Sequence, residues 1–85
     1  MDTLKIGQHM AVVANDGRQV GFVVRLEGST GLKITRIKNG QGFEYVIPLA
    51  WVSDVDRYVF LNKGARYVRS NWEATIGPHG GLRAA

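Results

Sequence analysis

The stretch FEYVIPLAWVSDVDRYVFLNK, residues 43–63, constrains this chain more than any other. It is rich in β-branched and aromatic residues, which suit a pleated, half-buried surface. Pro48 divides it. Proline cannot donate to a ladder, so a strand over Phe43–Ile47 must stop there. Leu49-Ala50-Trp51-Val52 reads as a turn or single helical turn that plugs one end of a barrel. Val55–Leu61 reads as a further strand, with Val55, Arg57, Val59 and Leu61 on one parity. Trp51 is the expected core anchor, because its indole is large and its ring N–H needs a partner when buried. Trp51→Ala is therefore expected to cost about 3 to 5 kcal/mol. Core filler outweighs the other role for Trp51, a stacking platform for a base.

Three strand-like runs precede this segment, separated by glycine-bearing turns. Leu4–Met10 is ambiguous. Met10–Ala14 is the first clear strand, and Asn15-Asp16-Gly17-Arg18 is a hairpin turn, because Asn, Asp and Gly tolerate positive φ. Gln19–Glu27 is the second strand. Val20 and Val23 have opposite parity, so both face inward only if the strand slips by one residue, and Gly21 is the natural place for that bulge. Leu32–Ile37 alternates well and forms the third strand. After the fifth strand, Asn62 is the expected N-cap of a helix over residues 63–73. Leu61, Ala65, Val68 and Trp72 form one apolar stripe on it. The expected organisation is a β domain over residues 1–63, a helix over 63–73 packed on the barrel or a partner, and a flexible tail over 74–85.

Eighty-five residues allow one domain with a thin core. There is no cysteine, hence no disulfide and no thiolate metal site. The start of the chain does not read as a signal peptide, and the apolar runs are far shorter than a membrane span. The expectation is a cytoplasmic protein with no membrane contact.

Catalysis is not expected. Asp54 and Asp56 share a strand face, but turn capping explains them better than a metal or an acid–base pair. His9 and His79 lie outside the apolar segments, and no phosphate-binding glycine pattern occurs. No cofactor and no catalytic, cofactor-binding or metal residue is assigned. The net charge is +4, and residues 1–56 carry six groups of each sign. The excess therefore lies beyond them, where five basic residues face Glu73 alone. Lys63, Arg66 and Arg69 form a basic stripe on the helix. It is expected to be a solvated face that shows no nucleic-acid retention at physiological salt; as a phosphate-binding face it would make the chain a basic nucleic-acid- or ribosome-associated module, the rival reading.

One resemblance extends these readings. Tyr45-Val46-Ile47-Pro48-Leu49, Trp51-Val52, Val55-Asp56 and Leu61-Asn62-Lys63 resemble a small bacterial domain family of unknown function, of PRC-barrel type. Asp16-Gly17, Val20-Gly21 and Leu32-Lys33-Ile34-Thr35-Arg36 fit it too. The resemblance covers about residues 6–63. It implies a mainly all-β fold, a small barrel of five or six antiparallel strands with a C-terminal helix. It also implies a protein-contact module rather than an enzyme. The expected function is thus protein interaction or self-assembly, first as a homodimer and otherwise with another protein. The expected interface is Phe22, Val24, Tyr67, Val68 and Trp72, because small domains without staples gain stability by association.

Overall fold

The computed structural model describes residues 5–38 and 40–76. In chain order these residues form β1 (Ala11–Val13), β2 (Gln19–Glu27), β3 (Gly31–Lys38) and β4 (Gln41–Pro48). A 3-10 turn (Leu49–Trp51) leads to β5 (Val52–Val55) and β6 (Val59–Leu61). Helix α1 (Ala65–Asn71) and β7 (Glu73–Ile76) follow. The fold is mainly β, as expected. It is one seven-stranded sheet in the order β5-β6-β1-β2-β3-β4-β7.

Three features depart from a barrel of five or six antiparallel strands. The expected fifth strand is broken in two at Asp56, whose N–H donates to the Tyr58 carbonyl at 3.0 Å. The Asp54 carboxylate accepts the Val55 N–H at 2.9 Å. Residues 74–76, expected in the tail, belong to β7, and the rest of that tail lies outside the described residues. Finally, β6 lies parallel to β1, because the chain returns to its first strand after four others have formed.

The sheet must curl. Only the three residues of the 3-10 turn join β4 to β5, although four strands separate them in the ladder. Four Cα–Cα steps reach at most about 15 Å, whereas five ladder spacings in a flat sheet need about 24 Å. Two bulges supply curvature. Val12 pairs with Gly21 but Val13 with Gln19, leaving Val20 as the extra residue beside Gly21. The second bulge falls at Val24. The sheet still does not close into a barrel. β7 pairs with β4 on the edge away from β3, and no ladder joins that end to β5 among the described residues.

The inner face carries Val12, Val20, Val23, Leu32, Ile34 and Ile47, all buried, joined by Val55, Val59 and Leu61 from the second hairpin. The first bulge lets Val20 and Val23 face inward together. Helix α1 seals the core with Ala65 and Val68, while Trp72 packs partly buried against it. The apolar stripe read from the sequence is thus the face the helix buries.

The helix start differs from expectation. Its N-cap is Gly64, not Asn62, and no side chain from its own segment caps it. The Asp16 carboxylate instead accepts the Ala65 N–H over 3.5 Å. The Asn15 N–H donates to the Lys63 carbonyl at 2.9 Å, and the Asn15 amide to the Asn62 carbonyl at 3.2 Å. The first hairpin turn is therefore stapled to the helix start. Gly17, at φ 85°, provides the left-handed residue that turn requires.

Trp51 is half-buried and packs against the core from its rim, edge-on to Tyr67 at 5.4 Å. It is not the buried anchor expected from the sequence. The largest fully buried side chains are Leu32, Ile34, Ile47 and Leu61. Medium aliphatic groups from β3, β4 and β6 fill the narrow curl, and a broad indole fits better at its mouth.

Candidate functional site

The five residues expected to form one interface are not brought together. Phe22 points from the outer face of the sheet and is 39% exposed. Val24 is the bulged, half-buried residue of β2. Val68 is completely buried in the core and offers no surface. Trp72 stacks on Tyr45 with centroids 3.8 Å apart. Tyr67 is exposed but engaged, edge-on to Trp51 and beneath the Lys63 ammonium at 5.0 Å.

The sheet's outer face has two halves. Cross-strand pairing runs Ala11, Phe22, Thr35, Glu44 in one row. Ile37, 69% exposed, stands two residues beyond Thr35 and faces Gly42 across the ladder. Apart from Glu44, this half is apolar, because its neighbours are Ala, Thr and Gly. The other half carries charges of both signs. Arg25 pairs with Glu27 at 3.3 Å, and the Lys33 ammonium lies 3.6 Å from Glu44 and 4.0 Å from Glu27. Lys33 is 7% exposed although it faces outward, because its neighbours pack over its stem. Arg25 and Lys33 balance Glu27 and Glu44, so this face has no positive excess.

The basic stripe also divides. Lys63 turns toward Tyr67. Arg66 and Arg69 instead line a depression of about 500 Å³ with Arg18, Asp16 and Ser70. A second hollow of about 240 Å³ adjoins it at Arg69 and is lined by Arg36, Ile37, Phe22 and Gln19. Arg18 and Arg36 come from distant parts of the chain, and no spacing in the sequence links them to the helix. Only the docked hairpin turn could have signalled Arg18.

A third hollow, about 600 Å³, opens at the end of β4 between Val46, Pro48, Leu49, Thr30, Asn71 and Glu73. Of the two aspartates, Asp54 accepts the Val55 N–H with its carboxylate, and Asp56 joins the turn after β5 through its backbone N–H. No helix of the described residues is long and apolar enough to cross a membrane.

Residues 6–69 match the family model described as an uncharacterized protein conserved in bacteria (DUF2171). The chain belongs to that family. The match runs from the residues before β1 into α1 and ends at Arg69, before β7. No curated protein and no solved structure matches the chain.

Proposed function

We propose that this DUF2171 domain is a non-enzymatic, cytoplasmic self-assembly module of PRC-barrel type that pairs with a second copy of itself through the outer face of its sheet. The curled sheet around one apolar core, turned at Pro48, supports the PRC-barrel part of this reading. The observation that carries the assembly reading is the outer face. Phe22 and Ile37 expose apolar surface on one half of the sheet, next to charges of both signs.

A second copy is the occupant because of charge. Two chains of +4 repel each other over much of their surfaces. This face carries charges of both signs instead of the chain's positive excess, so it is where a second copy is repelled least. An isologous contact of this kind is the commonest route to a dimer.

Sedimentation tests this. The wild type should be a dimer at high micromolar concentration. Phe22→Glu should be a monomer with a near-native thermal melt, because Phe22 lies outside the core; Ile37→Glu should behave alike. A wild type that sediments as a monomer sinks the reading, as does a Phe22→Glu variant that keeps the dimer mass.

A further inference from the structure

The hairpin turn stapled to the helix start has a consequence at the surface. It sets Arg18 beside Arg66 and Arg69 around one depression, and Arg69 is shared with the next hollow, where Arg36 stands. Four arginines, from the approach to β2, from β3 and from α1, thus line two adjoining hollows. Asp16 is the one carboxylate among their lining residues, and its oxygens already accept the N–H groups of Arg18 and Ala65. The ion pairs among the described residues involve Arg25 and Lys33 and none of these four arginines.

Cations gathered around shared hollows repel one another, and Asp16 alone among the lining residues offsets them. A ligand carrying several negative charges along its length relieves that repulsion at every arginine it passes. The cation chemistry narrows the ligand. All four groups are arginines, whose planar forks match phosphate oxygens bidentately, whereas a diffuse attraction to acidic surfaces needs only lysine. The shape narrows it further. Two adjoining hollows that share Arg69 suit a strand lying along them, whereas a membrane surface calls for a level basic face.

We propose that this arginine end binds the phosphodiester backbone of single-stranded nucleic acid without reading its sequence. Arg18, Arg66 and Arg69 grip one phosphate region and Arg36 the next. Phe22 and Ile37 also line the second hollow, so the strand reaches the edge of the self-association face. The three-residue stripe on the helix alone would be a solvated face; Arg18 and Arg36 make it a track.

Fluorescence anisotropy with labelled oligouridylate and oligothymidylate tests the proposal on the full chain. Both strands should bind at low salt with similar affinity. Four phosphate contacts predict a log–log salt slope of about −2.8, so a fourfold rise in salt weakens binding roughly fifty-fold. Arg66→Gln alone should make the slope shallower by about 0.7. The quadruple variant Arg18→Gln, Arg36→Gln, Arg66→Gln, Arg69→Gln should bind neither strand while keeping the wild-type mass and circular dichroism. The proposal is overturned if the wild type fails to bind at low salt, or if Arg66→Gln leaves the slope unchanged. It is also overturned if a duplex or polyglutamate of equal charge competes as well as the strand. The mass measurement separates this failure from failure of the assembly reading.

Discussion

Replacing Ile34 with alanine should unfold much of the population at moderately raised temperature. Ile34 is completely buried on β3, flanked by Val23 of β2 and Tyr45 of β4. Its backbone is held by a ladder on both sides, so the strand cannot move inward to fill the space its side chain leaves. A cavity that cannot collapse puts the cost toward the upper part of the usual range, about 3 to 5 kcal/mol. In a domain of this size that lowers Tm by roughly 15 to 30 °C. Trp51→Ala is the informative comparison. The ring is half-buried at the mouth of the curl, so its removal should cost less, about 2 kcal/mol. Thermal melts of both variants decide the matter. If Trp51→Ala melts below Ile34→Ala, the indole and not the aliphatic layer is the anchor.

Gly21→Ala should also destabilise, although it adds a single methyl group. A Cβ at Gly21 would lie 2.7 Å from the Thr35 carbonyl oxygen and 3.6 Å from Ile34 Cδ1. The nearer atom is backbone of β3 and cannot rotate away as a side chain can. The two strands must separate beside the bulge that lets Val20 and Val23 both face the core. Overpacking of this kind costs about 1 to 3 kcal/mol. The effect should appear as a lower denaturant midpoint together with faster amide exchange along β2 and β3. An unchanged midpoint would mean that the sheet can relax at this position and that its curvature does not depend on close approach there. Gly17→Ala is a useful contrast. Its Cβ would meet nothing within 4 Å, so any cost there comes from the positive φ alone.

The two variants mark where reading the chain succeeds. The β2 bulge was legible because two buried-type valines three apart cannot share a strand face without an extra residue. The Asn15–Arg18 hairpin, the boundaries of β2, the turn after Pro48 and the buried helix stripe were legible for similar reasons. Each depends on dihedral preference or side-chain period within one short segment. Membership of a small bacterial family was also visible in the run from Tyr45 to Lys63, within the residues 6–69 that the family model matches.

Other features needed the tertiary structure, because they depend on which segments meet. Val55–Leu61 has an unbroken β-like composition, yet it folds back at Asp56, since Val52–Val55 finds its partner in β6. Residues 74–76 show no strand period, but the free edge of β4 recruits them. Asn62 looks like an N-cap, whereas Asp16, distant in sequence, supplies the acceptor. The interface expected at Phe22, Val24, Tyr67, Val68 and Trp72 rests on strand parity and on the apolar surface of the helix, but the core claims Val68 and Tyr45 claims Trp72. By itself, then, the sequence determined the local elements, one thin aliphatic core and the basic excess of the C-terminal third. Only the tertiary structure decided that the sheet stays open and that Arg18 and Arg36 join Arg66 and Arg69. Side-chain period is a property of neighbours along the chain, and ladder partners and charge clusters are properties of neighbours in space.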